Sequence, residues 1–234
     1  MNMFYRQRLK GNKNLHLYHD SHYREIPVQT SKGPLVEEWL EKLYEVFFTQ
    51  RERHSKVLVL RFDLTFPTFI SAGCHSAIDN SVFNAFKRHL RASLDSLGLS
   101  HKHSLKYVAA REYDRFVNIP HYHVAIFLNG NAIRSTGSWD MNRDNLYTRI
   151  HHAWASALKV QPYQTIGSIH FCDPKHTSSA LKVVTKGGSI LLERDDLRNY
   201  DAVFYACSYL TKEATKNFYD GCQPFLCSRF KKQS

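Results

Sequence analysis

Apolar positions recur along the chain in two rhythms, one helical and one extended. Leu35, Trp39, Leu43, Val46 and Phe47 return every three or four residues, which predicts an amphipathic helix opening near Pro34, a residue suited to a first turn. Phe83, Phe86, Leu90, Leu94 and Leu97 repeat the pattern, and Gly98 closes it. Leu146, Ile150, Trp154 and Leu158 mark a third helix over about 143–159, and a fourth covers about 197–215. Between them lie runs of β formers. Residues 56–66 read as a strand ended by Pro67, and 105–113 and 120–128 as an antiparallel pair across a short polar stretch. Asn129-Gly130-Asn131 reads as a turn, 166–171 as a short strand and Gly187-Gly188 as a flexible connection, while 1–33 is polar and irregular. Helices mixed with antiparallel strands predict an α+β fold, a central antiparallel sheet with flanking helices. The division expected is 1–50 as an N-terminal extension and helix packed on the core, 51–218 as the main domain, and 219–234 as a basic C-terminal tail.

At 234 residues, 43% apolar and 23% charged, the chain has enough apolar material for a core, which excludes wholesale disorder. No run approaches the roughly 18 apolar residues of a membrane span. The basic N-terminus leads into no apolar segment, so no secretory signal is read there. Thirty-two Lys and Arg against 21 Asp and Glu give a net charge of +11. That excess predicts a polyanionic partner, nucleic acid rather than membrane because no amphipathic Lys/Arg helix stands out, against the plainer reading of a basic, unspecific surface. Five scattered cysteines predict reduced thiols in a cytosol. Cys222 and Cys227 are close, but no second pair at zinc spacing accompanies them.

Two constellations carry chemistry. His121-Tyr122-His123 puts both imidazoles on one face of a strand, half of a divalent-metal site. Fourteen histidines would produce about one such spacing by chance, and a second, His101-Lys102-His103, reads as a solvated loop. Glu112, on the neighbouring strand, can supply a carboxylate; the plainer reading pairs it with Arg111 or Arg115. Two histidines and a carboxylate suit Mg²⁺ or Mn²⁺. Tyr205, Tyr209 and Lys212 form the second set, spaced to share one helical face. Two packing tyrosines beside a surface lysine is the bland alternative. Together the sets are complementary, because a phenol with a pKa near 10 attacks a phosphodiester only if a metal polarises the phosphate and a cation favours the phenolate. His151-His152 reads as a surface pair, the three tryptophans as packing, and Arg51, Arg53, Lys56, Arg88 and Arg91 as either phosphate contacts or solvated helix faces.

A His-hydrophobic-His strand followed by Tyr-x3-Tyr-x2-Lys resembles the two-tyrosine HUH endonucleases. More narrowly, Val108-Ala-Ala-Arg-Glu112, His121-Tyr-His-Val-Ala-Ile-Phe-Leu-Asn129 and Tyr205-Ala-Cys-Ser-Tyr-Leu-Thr-Lys212 resemble the inovirus and prophage replication-protein family, the YagK/YfjJ C-terminal domain family. Arg61-Phe-Asp63-Leu resembles its early motif, and the likeness spans roughly residues 20–218. The resemblance implies an RRM-like core over 51–218, a metal held by His121, His123 and Glu112, Tyr209 as lead nucleophile, Tyr205 as the second and Lys212 as the assisting cation. The implied activity is metal-dependent nicking and rejoining of single-stranded DNA or an origin hairpin through a 5′-phosphotyrosine, initiating rolling-circle replication in a bacterial host cytosol. Arg61-Phe-Asp63-Leu-Thr65 departs from the superfamily's first motif and is given no chemistry. No Walker A sequence is present, so a host helicase and polymerase are the expected partners. A non-catalytic DNA-binding regulator with the same fold is the alternative, and a water-using phosphodiesterase a weaker one.

Overall fold

A computed structural model describes residues 6–71, 79–113, 119–172 and 189–229. Short strands open the chain where the sequence predicts irregular structure: β1 (Arg8–Leu9), β2 (Asn12–Tyr18), β3 (His22–Tyr23), β4 (Ile26–Pro27) and β5 (Leu35–Val36). Helix α1 (Glu37–Arg53), β6 (Lys56–Leu64), the single turn α2 (Thr68–Ser71) and α3 (Ser81–Asp95) follow. Next come β7 (Lys106–Tyr113), β8 (Pro120–Asn129), α4 (Leu146–Leu158) and β9 (Ile169–Phe171), then β10 (Ile190–Glu193), α5 (Leu197–Ser208) and β11 (Phe225–Cys227).

The central sheet runs β10-β6-β8-β7-β11, with β9 pairing the far half of β6. Its pairings are antiparallel. Strands β6, β7, β8 and β10 alternate with α3 and α4 as β-α-β-β-α-β and lie in the order fourth, first, third, second, the ferredoxin-like arrangement. Strand alternation divides the sheet between two cores. Leu58, Leu60, Phe62 and Leu64 join Val124, Ile126 and Leu128 against α3 and α4. Val57 and Val59 join Ala125 and Phe127 against α1 and α5. Burial on both faces is why Val57-Leu58-Val59-Leu60 is an unbroken apolar run rather than an alternating one.

Helix α1 starts later than Pro34 because Leu35 and Val36 first pair with Tyr18 and Leu17 of β2. Glu37 and Glu38 sit in its first turn and Arg51 and Arg53 in its last, matching the helix dipole. Buried Gln50 spends its amide on the carbonyls of Ser104 and Phe127, at 2.7 and 3.3 Å. Asn145 caps α4 by accepting the Thr148 N–H at 3.1 Å. The predicted turn after β8 needs its glycine: a Cβ on Gly130 would lie 2.6 Å from Leu191 Cδ1 and 2.8 Å from Lys56 Cβ. No helix among the described residues is long and apolar enough to cross a membrane.

Several expectations need correcting. The segment read as a basic tail contributes β11, which pairs Phe225 with Ala110 and Cys227 with Val108, so the sheet extends to Cys227. His151 is buried, not superficial; its Nδ1 lies 2.7 Å from Thr165 Oγ1, and burial with the neighbouring His152 pushes it down to about 4. His103 is likewise buried, 2.8 Å from Asp95, rather than solvated. Trp39 and Trp154 pack in the cores, whereas Trp139 is 59% exposed. Gly187, Gly188, Arg115 and Cys74 lie outside the described residues.

Phe47 is buried at the centre of the α1–α5 core, with its ring against Phe127, Tyr200 and Phe204. Phe47→Ala is expected to cost about 3–5 kcal/mol in chemical denaturation, whereas the exposed Tyr219→Ala should stay within about 0.5 kcal/mol.

Candidate functional site

The α1–α5 face of the sheet turns polar at one end. The register sets Glu112 of β7 opposite His121 of β8, and His123 opposite Asp63 of β6. Directly opposed residues share a face, so three strands place four ionisable side chains side by side. Ligand atoms of Glu112, His121 and His123 lie within 4.8 Å of one another. The two imidazole Nε2 atoms are 3.2 Å apart. Adjacent ligands around a small divalent ion, at bond lengths of about 2.1 Å, stand about 3.0 Å apart, so this edge already has metal-ligand spacing. The set could hold Mg²⁺, Mn²⁺ or a related ion.

Asp63, given no chemistry from sequence, orients one ligand. Its Oδ1 lies 2.5 Å from His123 Nδ1, which places the proton on Nδ1 and leaves Nε2 for a metal. Burial would lower the pKa of His123, but hydrogen bonds and charge from Asp63 and Glu112 hold it above the ordinary imidazole value. Only the register reveals this pairing, since 60 residues separate the two.

Glu112 is 2% exposed and is surrounded by partners from the segment after α5. Its Oε1 takes Lys216 Nζ at 2.5 Å; its Oε2 takes Thr215 Oγ1 at 2.5 Å and Lys212 Nζ at 3.1 Å, and lies 3.5 Å from His123 Nε2. Burial alone would raise its pKa, but the His123 hydrogen bond and the charges of Lys216 and His123 drive it below the ordinary carboxylate range. The plainer pairing expected for Glu112, with Arg111, does not form: Arg111 points to the other face and bonds Asp220. Lys216 is the second residue that sequence reasoning missed. Its side chain is fully buried, a placement that nothing in the polar stretch Glu213-Ala-Thr-Lys216-Asn announces. Thr215 holds a φ of 71°, a left-handed conformation costly for a β-branched residue, and its carbonyl takes the Tyr113 N–H at 3.4 Å. Bonds to β7 at both its carbonyl and its hydroxyl hold that strained residue beside the site.

The tyrosine motif departs from a single helix. Helix α5 ends at Ser208, Tyr209–Thr211 forms a 3₁₀ turn, and Lys212 is extended. Residues three apart eclipse each other in a 3₁₀ turn, which is why Lys212 still meets Tyr209. Lys212 Nζ bonds the Tyr209 hydroxyl and lies 3.6 Å from the ring centroid. The Tyr209 ring stands edge-on to His123, centroids 5.9 Å apart. Tyr209, Lys212, Glu112, His121 and His123 are thus one cluster. Tyr205, a half-buried residue one turn earlier, makes no side-chain hydrogen bond or ring contact with that cluster among the described residues. The N-terminal segment holds this turn in place: the Gln29 N–H bonds Ser208 Oγ at 2.8 Å, the Glu213 N–H bonds Pro34 O at 2.9 Å, and Leu35 bridges Lys212.

His123 binds its proton more tightly in the folded chain. Its contribution to stability is therefore present below about 6.5 and lost as pH rises past its raised folded value. A metal needs the neutral ring. Mn²⁺ affinity in calorimetry should rise with pH above about 6.5, and Asp63→Asn should weaken it by about 10–100-fold. An affinity indifferent to pH and to Asp63 would remove His123 from the ligand set.

The model of the YagK/YfjJ C-terminal domain matches residues 18–228. The chain is similar to YagK of Escherichia coli K12, 26% identical over 213 residues, covering 86% of this chain and 97% of that one. It is similar to YfjJ of the same organism, 26% identical over 214 residues, covering 84% and 96%. Both relatives carry the description of uncharacterized proteins. No solved structure matches the chain significantly. With its central sheet, its polar sheet end and nearly its whole length inside that match, the chain belongs to the YagK/YfjJ C-terminal domain family.

Proposed function

We propose that this protein nicks and rejoins single-stranded DNA through a tyrosine nucleophile, as an initiator of rolling-circle replication. The observation that carries the reading is Lys212: one ammonium touches both the Tyr209 hydroxyl and Glu112 of the His-His-Glu set. A tyrosine and a metal-ligand cluster joined by a cation are what phosphoryl transfer to a phenol requires. The +11 charge supports a polyanionic substrate.

A divalent ion, when bound by His121, His123 and Glu112, would supply Lewis-acid polarisation of a phosphoryl oxygen. The chain's own groups do the rest. Asp63 fixes the His123 ring, and Lys216 and Thr215 fix Glu112. The 3₁₀ turn, anchored by Gln29 and Pro34, aims Tyr209 across His123. Tyr209 Oη attacks phosphorus, an O–P bond forms and the P–O3′ bond breaks. The phenol gives up one proton and the departing 3′ oxygen takes one up, leaving a 5′-phosphotyrosine and a free 3′-OH. Lys212 offers positive charge where the phenol and phosphate carry most negative charge. The ester retains the energy of the broken bond, so the reverse step rejoins a strand without ATP, and the 3′-OH can prime a polymerase. Tyr205 is assigned the second transfer, to a later junction.

One observation favours the second reading, a DNA-binding regulator that does not cut. Both Glu112 oxygens already have partners, Lys216 and Lys212 by charge and Thr215 by its hydroxyl, so the carboxylate is satisfied by the protein alone.

Mixing the protein with single-stranded DNA of its own replicon and Mn²⁺ should yield a DNA-linked band that survives SDS and is absent with EDTA. Tyr209→Phe should abolish it, and Lys212→Ala should slow its formation by about 10²–10³-fold. A band of full intensity from the Tyr205→Phe/Tyr209→Phe protein would sink the tyrosine mechanism; no band, with DNA binding intact, would favour the regulator.

A further inference from the structure

Away from the cluster, a groove of about 1150 Å³ follows the β11 edge of the sheet, between α1 and α3. Its walls carry six cations, Lys42, Lys87, Arg88, Arg91, Lys106 and Arg229, against two carboxylates, Glu45 and Asp79. Among the described residues, Lys42, Lys87, Arg88, Arg91 and Arg229 form no ion pair with a carboxylate. Lys87 instead meets the Tyr107 hydroxyl at 3.0 Å, and Arg91 the Leu105 carbonyl at 2.9 Å. Lys106 contacts the Arg229 carbonyl at 3.1 Å, and burial together with the charges of Arg53 and Arg91 pulls its pKa down. The protein therefore concentrates positive charge in a concave surface, where five of the six cations meet no carboxylate among the described residues.

Cations along a sheet edge can also serve only to discourage strand pairing. That role calls for charge on the edge strand itself, whereas four of these six cations project from two helices on opposite sides of it. We infer that this groove is a sequence-independent track for the phosphodiester backbone of a nucleic-acid strand. Tyr107 is turned to Phe83 and Lys87 rather than presented as an open stacking platform, so contacts to phosphate, not to bases, dominate. The groove passes Lys106 and Tyr107, and Glu112 lies six residues further along the same strand, about 20 Å away. A strand held there is led toward the polar sheet end. Nucleic acid as the occupant rests on the reading under Proposed function; the groove's demand for a polyanion does not.

The test uses the full chain in EDTA, so that no cleavage takes place. Fluorescence anisotropy follows a labelled oligo-dT and a labelled hairpin from about 50 to 200 mM salt. The variant Lys42→Gln/Arg88→Gln/Arg229→Gln removes three cations whose side chains make no hydrogen bond or ion pair among the described residues. Its salt slope for a single strand should fall by about two units relative to the parent, and its affinity at low salt by at least about tenfold. Lys56→Gln, outside the groove and paired with Glu193 at 2.7 Å, should leave the slope unchanged. A larger loss on oligo-dT identifies a single strand as the occupant, and one on the hairpin identifies a duplex stem; both support the track. Unchanged slope and affinity in the triple variant, with an unchanged thermal midpoint, would overturn it, as would displacement of the DNA by poly-aspartate at matched charge. Tyr209→Phe should retain the parent slope. Failure of adduct formation therefore leaves the groove inference standing, and failure of the groove leaves the tyrosine chemistry standing.

Discussion

Glu112 is the residue on which the arrangement turns. A carboxylate this buried has to be paired, since an isolated ion in a protein interior costs several kcal/mol. Its partners come from a segment about 100 residues away: Lys212 and Lys216 by charge, Thr215 by its hydroxyl. The ion network thereby clasps the end of β7 to the chain leaving α5. It is the same chain that carries Tyr209. One set of contacts both neutralises the buried charge and holds the Tyr209 phenol beside His123, with Lys212 in both.

The clasp depends on the sheet beneath it. Alternation sends even-numbered β6 residues to the α3–α4 core and odd-numbered ones to the α1–α5 core. Along the second face Val57 and Val59 pack into the α1–α5 core, whereas Asp63 pairs with His123. A one-residue slip between β6 and β8 would send Asp63 and His123 to opposite faces and bury the polar row in apolar packing. The long, apolar pairing of those strands therefore secures the register on which the polar end relies.

The N-terminal strands have a related role. Although polar in sequence, this N-terminal segment binds back to the end of α5 through Gln29, Pro34 and Leu35, where the helix tightens into its 3₁₀ turn. A helix end leaves backbone groups without intrahelical partners, which other groups must satisfy. Here the Ser208 hydroxyl links the Gln29 N–H to the Tyr205 carbonyl, and Thr211 bonds the Ser208 carbonyl at 2.7 Å. At the opposite edge, β11 fastens the last described residues to β7 and forms the floor of the basic groove.

Periodicity alone determined the α+β class, three of the long helices to within a few residues and the antiparallel β7–β8 pair, because apolar spacing reports directly which side of an element is buried. It also brought Glu112, His121 and His123 together, since a short connection leaves two strands little choice but to pair. Tertiary structure decided the rest. Asp63 and Lys216 joined the site through contacts 60 and 104 residues apart in sequence, and no local pattern encodes such distances. Tyr205 and Tyr209, equivalent on a continuous helix, fall on either side of the point where α5 gives way to a 3₁₀ turn, and it is across that turn that Lys212 meets Tyr209. Charged side chains look alike in sequence. Which of them is buried as a partner, which lines a groove and which meets only water depends on what the fold places across from it.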